Sequence, residues 1–134
     1  MKTAFLTGYT GRPTRTPEQL RQLAINLDAV VVDSRYSPRS RVAHWCGGAL
    51  RELLGDRYMY NASFGNRTYR QGIITLADPD FGLKRLDHQG VMRAIILCAC
   101  ADGETCHRKQ VGDFLAAHGW TVREVTQAEW EAAR

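Results

Sequence analysis

The segment Cys98-Ala-Cys-Ala-Asp-Gly-Glu-Thr-Cys-His-Arg108 gathers three thiols, an imidazole and a guanidinium into eleven residues. It follows the continuous apolar run Arg93 to Cys100 and leads into a helical pattern, Cys106 to His118. Cys106, His107 and Arg108 thus fall in the first turn of a helix, where unpaired backbone N–H groups attract anions and favour a thiolate. Cys106 is a candidate nucleophile, with His107 or Asp33 as its proton-transfer partner, and Arg108 is a candidate anion holder. Adjacent helical positions point about 100° apart and need not touch. The phosphatase spacing, Cys then five residues then Arg, is absent, because Cys106 stands where Cys100 would need the Arg.

A second constellation, Asp33-Ser34-Arg35, ends the run Ala29-Val30-Val31-Val32. A carboxylate at the end of a buried strand must be paired or solvated in a cleft. Arg35 is the nearest partner, which leaves two readings open: a structural ion pair, or binding and general acid–base chemistry. Arg39, Ser40 and Arg41 add donors to the following loop, and Arg67 and Arg70 lie among the aromatics Tyr60, Phe64 and Tyr69, a mixture suited to stacking on bases with phosphate contact. Cys98, Cys100, Cys106 and His107 are also residue types that zinc takes. Structural zinc pairs, however, are separated by two residues across a turn, so no cofactor is expected and zinc stands as an alternative. Cys98 by itself reads as a small buried hydrophobe.

These groups need a scaffold. Lys2 to Thr7, Ala29 to Val32, Arg57 to Tyr60, Arg93 to Cys100 and Thr121 to Val125 read as strands. Between them, Thr16-Pro17-Glu18-Gln19 opens a capped helix, Gly47 to Leu54 forms a second that stops at Gly55, and Pro79 to Leu86 a short third. Cys106 to His118 is the fourth, and Thr126 to Glu129 repeats the capping-box spacing before a last helix. Continuous rather than alternating apolarity marks strands covered on both faces. The expectation is a single α/β domain over 1–134: a three-layer sandwich with a mostly parallel sheet of about five strands, Rossmann-like, with right-handed crossovers. Ligands of such sheets bind outside the carboxyl ends of the strands. Here those ends carry Gly8-Tyr9-Thr10, Asp33-Ser34-Arg35, Asn61 through Arg67 and Cys100 through Arg108.

Composition bounds the partners. Of 134 residues, 44% are hydrophobic and 24% charged, which excludes disordered and collagen-like classes. The apolar run Ala94 to Ala101 is far shorter than a membrane span, and Lys2 is followed by too few apolar residues for a secretory leader, so a cytoplasmic protein without membrane contact is expected. The net charge is +4, with 11 basic and 5 acidic residues among the first 70 and 7 and 9 after them. That asymmetry favours an anionic partner, although the total is small for DNA binding.

Thr7-Gly8-Tyr9-Thr10, Val32-Asp33-Ser34-Arg35 with Pro38-Arg39-Ser40-Arg41, Tyr58 through Asn66 with Gly65-Asn66, and Leu97-Cys98 followed by Cys106-His107-Arg108 together resemble the domain of unknown function 488 family. The likeness covers nearly the whole chain and implies an α/β fold with a site edge built from Asp33, Arg35, Arg41, Cys106, His107 and Arg108. Many members look like Leu-Cys-Ala-Glu where this chain has Leu97-Cys-Ala-Cys100, which puts a thiol at the family's acid position. The family implies no reaction.

The functional expectation is a small enzyme acting on a phosphate-bearing ligand, a nucleotide or nucleic acid. Arg35, Arg41 and Arg108 with the helix N-terminus hold the anion, Tyr9, Thr10, Ser40, Asn66 and Arg67 line it, and Asp33 or His107 moves protons. A non-catalytic nucleotide or nucleic-acid binding module and a zinc-dependent protein are the alternatives. A homodimer is compatible with the long segment before Asp80, which a partner chain could order.

Overall fold

A computed structural model describes residues 1–11, 13–38, 40–68, 73–99 and 106–134. Arg39, Tyr69, Arg70 and Cys100, the last residue expected of the fourth strand, lie outside the described residues, and the strand itself ends at Cys98. Five strands, β1 (Thr3–Gly8), β2 (Val30–Asp33), β3 (Tyr58–Tyr60), β4 (Arg93–Cys98) and β5 (Thr121–Glu124), form one sheet in the order β3-β2-β4-β1-β5. Every pairing is parallel.

Among the described residues five α-helices cover it: α1 (Pro17–Asn26), α2 (Gly47–Leu54), α3 (Pro79–His88), α4 (His107–Ala117) and α5 (Gln127–Ala132). Leu20 and Leu23 of α1, Leu50 of α2 and Trp130 of α5 pack with Phe5, Val31, Ile95 and Leu97 on one face. Leu86 of α3 with Val111 and Leu115 of α4 pack with Leu6, Val32, Ala94 and Ile96 on the other. Alternate residues of each strand thus feed alternate cores, as the pleat demands. This is why the β2 and β4 sequences are apolar throughout. Among the described residues, no helix is long and apolar enough to cross a membrane.

The helix boundaries follow from local chemistry. Thr16 Oγ1 accepts from Gln19 N at 3.1 Å while Gln19 Oε1 accepts from Thr16 N at 3.0 Å, a complete capping box. Thr126 and Glu129 repeat it at α5. α3 runs two residues beyond the expected Leu86, to His88. Gly55 takes φ +56° at the end of α2, a left-handed conformation that favours glycine.

The chain order places the connections. From β1 to β2 to β3 the chain steps one way across the sheet with α1 and α2 on the first face. From β3 through β4 to β5 it steps back with α3 and α4 on the second. Reversing direction and face together keeps the crossover hand unchanged. The central β4 therefore sends its connection to the opposite face from both of its neighbours, β1 and β2, and the chain parts on either side of its carboxyl end.

Candidate functional site

The alternation that builds two cores also divides the candidate residues. Asp33 shares the pleat side of Val31, towards α1 and α2, whereas Cys98 shares that of Ile96, towards α4. Two separate clusters result, one on each side of the β2–β4 edge.

In the first cluster Asp33 is fully buried and Arg35 is 5% exposed. Arg35 Nε donates to Asp33 Oδ1 at 2.8 Å, Nη2 to Oδ2 at 2.6 Å, and Nη1 to the Trp45 carbonyl at 2.7 Å. Tyr58 Oη donates to Asp33 Oδ2 at 2.6 Å. The Tyr9 ring stacks on Trp45 at 4.5 Å, and the Arg35 guanidinium lies 5.5 Å from the Tyr9 centroid. Burial alone would lower the Arg35 pKa, but the hydrogen bonds and charge of Asp33 raise it. Burial first, then the Asp33 charge, pushes the Tyr58 phenol up. Of the two readings open for Asp33, this geometry has the form of the ion pair. Both carboxylate oxygens are engaged, and the arginine expected to hold a ligand spends three donors inside the protein.

The second cluster is built on the start of α4. Cys106 is the N-cap, with φ −100° and ψ 148°, so it stands in extended rather than helical geometry. That releases it from the angular separation of successive helical residues. Its Sγ lies 3.7 Å from His107 Nδ1. On the far side of the ring, Nε2 is 3.0 Å from the Ser34 carbonyl and 3.2 Å from Ser34 Oγ. A carbonyl only accepts, and the Ser34 hydroxyl spends its proton on the Leu97 carbonyl at 2.8 Å, so Nε2 carries the hydrogen. In the neutral ring Nδ1 is then the acceptor facing the Cys106 thiol. A nucleophile, a base and a group that orients the base are thereby arranged in series.

Cys98 completes this cluster. Cys106 Sγ donates to Cys98 Sγ at 2.8 Å, and Arg108 Nη1 donates to the same sulfur at 3.1 Å. Arg108 also spans to Glu124 at the carboxyl end of β5, with Nη2 to Oε1 at 2.9 Å. Burial works to lower the Arg108 pKa, but Glu124 and Cys98 raise it. Arg15 stands nearby, donating to the Gly8 carbonyl at 2.6 Å, with no partner for its Nε among the described residues. Its pKa is lowered, first by burial and then by the like charge of Arg108.

The remaining candidates are dispersed. Thr10 is exposed, its amide bonded to the Ala99 carbonyl at 3.2 Å. Ser40 Oγ accepts from Val42 N at 3.1 Å, and Arg41 is exposed. Asn66 Oδ1 accepts from Thr68 and Thr75, closing its own loop, with Arg67 exposed beside it. Neighbouring Gly65 meets the β2 loop closely: a Cβ there would lie 2.5 Å from Tyr36 Cα.

Sequence reading missed Arg15, Tyr58, Trp45 and Glu124, and took Cys98 by itself for packing or, with Cys100, Cys106 and His107, for a zinc ligand. The strand-end rule that points to Asp33 reaches Glu124 as well, while nothing local marks Tyr58 or Trp45. Among the described residues no three His, Cys, Asp or Glu side chains converge to hold a metal ion, and Cys100 lies outside them. No family model, no curated protein and no solved structure matches the chain.

Proposed function

We propose that the chain is a small enzyme acting on a phosphate-bearing ligand, a nucleotide or nucleic acid, at the carboxyl edge of its sheet, with Cys106 as nucleophile and His107 as base. The observation that carries the reading is the series Cys106 Sγ, His107 Nδ1, His107 Nε2–H, Ser34 carbonyl, held at 3.7 and 3.0 Å. His107 accepts the thiol proton, and the thiolate attacks an electrophilic centre of the substrate. The new bond to sulfur forms as the leaving group departs with the proton from His107. Water then cleaves the covalent intermediate and restores the thiol.

The anionic character of the ligand is supported by the N-terminus of α4, whose first amides have no intrahelical acceptor. It is supported further by Arg15, whose pKa is lowered first by burial and then by the like charge of Arg108. A second reading, a non-catalytic nucleotide or nucleic-acid binding module, is favoured by one observation: Cys106 is only 1% exposed.

A thermal-shift screen of wild type and Cys106→Ser against nucleotides, oligonucleotides and inorganic phosphate separates the two. Under the enzyme reading a phosphate-bearing ligand raises the Tm of both proteins, and turnover of that ligand disappears in Cys106→Ser. Equal stabilisation with no turnover by either protein supports the binding module. Failure of every phosphate-bearing compound to shift the Tm overturns both.

A further inference from the structure

The sulfurs of Cys98 and Cys106 face each other at 2.8 Å, one at the end of the central strand and the other at the N-cap of the following helix. Neither is in a disulfide, and both are buried, 0% and 1% exposed. Cys98 Sγ accepts from both the Cys106 thiol and the Arg108 guanidinium. Cys106 has His107 Nδ1 within reach to take its own proton. One sulfur is thus placed to be oxidised and the other to resolve it. Bringing the two to bonding distance, about 2.05 Å, requires a shift of roughly 0.8 Å from the observed 2.8 Å.

We propose that Cys98 and Cys106 form a reversible dithiol–disulfide couple, oxidised by a hydroperoxide and reduced by an external dithiol, that silences the Cys106 nucleophile in its oxidised form. In the first step the Cys98 thiolate attacks the peroxide. A sulfur–oxygen bond forms, the oxygen–oxygen bond breaks, and the alkoxide leaves and is protonated to an alcohol. In the second step Cys106 gives its proton to His107 and attacks the Cys98 sulfur. The disulfide forms, the sulfur–oxygen bond breaks, and the departing hydroxide takes the proton from His107 to become water. Two thiols and one hydroperoxide yield one disulfide, one alcohol and one water, and the two electrons end on the peroxide. An external dithiol reverses the change by exchange through Cys106.

Only the silencing rests on the proposed function; the couple stands on its own geometry and is tested without any turnover. The full chain, reduced and freed of reductant, is treated with one equivalent of tert-butyl hydroperoxide under native conditions and followed by intact mass and peptide mapping. The expected result is loss of two thiols, a mass lower by two hydrogens, a Cys98–Cys106 cross-link, and full recovery with a dithiol. Cys106→Ser should instead yield a sulfenic acid on Cys98 that dimedone traps, and Arg108→Gln should slow oxidation about tenfold. Far-ultraviolet circular dichroism shows whether each variant is folded. Cysteines that stay reduced under excess hydroperoxide in folded wild type, or a cross-link that maps to Cys46 or Cys100, overturn the couple. An intact couple whose oxidation leaves a measured turnover unchanged overturns only the silencing.

Discussion

Replacing Arg35 with Ala asks whether the first cluster is a structural ion pair or a ligand holder. In the native protein Arg35 and Asp33 are 5% and 0% exposed and share two side-chain hydrogen bonds, so the substitution leaves a buried carboxylate facing, among the described residues, Tyr58 and one amide. Removing one partner of a buried pair costs about 3–5 kcal/mol, because the orphaned charge keeps its desolvation penalty. Losing the bond to the Trp45 carbonyl and the approach to the Tyr9 ring adds about 1 kcal/mol. Against a typical total of about 5–15 kcal/mol, that is a large share of the stability. Equilibrium urea unfolding should therefore show a midpoint drop with unchanged slope. Arg35→Met with Asp33→Asn, which removes both charges, should restore much of the loss. A loss below about 1 kcal/mol for Arg35→Ala would refute the reasoning and return Arg35 to the list of groups available for a ligand.

The Arg123 guanidinium, with the Thr126 cap, holds the Glu129 carboxyl down at about 2, against an ordinary 4.5. Because the folded value is depressed, this contribution is complete above pH 4.5 and is lost as pH falls towards 2. Glu129→Gln, compared with wild type by urea unfolding at pH 7 and pH 2.5, should cost no more than about 1 kcal/mol at the higher pH, since solvent screens the pair, and only about a quarter of that at the lower. At Gly65 an added methyl would meet the Tyr36 backbone rather than a movable side chain, so Gly65→Ala should destabilise by about 1–3 kcal/mol in the same assay. His107→Gln removes the acceptor that faces Cys106 and should slow alkylation of Cys106 by iodoacetamide about tenfold, read by mass spectrometry; an unchanged rate would mean that His107 does not accept the thiol proton.

Much of this molecule is written in short-range patterns. The Thr16 and Thr126 capping boxes, the glycine stop at Gly55 and the unbroken apolar runs of β2 and β4 depend on neighbours within four residues or on the two-residue pleat. They are legible before any fold is known, and with them comes the carboxyl edge where Asp33, Cys106 and Arg108 stand. The contact between Cys106 and His107 lay at the limit of such reading. Helical geometry argues against it, and it arises because Cys106 is the cap and not the first helical residue.

Which candidates meet was decided by tertiary structure. Asp33 and Cys98 end neighbouring strands, yet the pleat sends them to opposite cores, so the single edge expected from sequence divides into two clusters. The groups that complete those clusters come from afar: Tyr58 reaches Asp33 across 25 residues, Glu124 reaches Arg108 across 16, and Ser34 orients His107 across 73. Such pairs depend on strand order and crossover face, which place β4 between β1 and β2. No local periodicity encodes that order. The sequence alone determined the elements, their parallel packing and the edge that carries chemistry; the three-dimensional arrangement determined that Arg108 is bound to Glu124 and that Ser34 orients the imidazole, because both depend on which strands become neighbours.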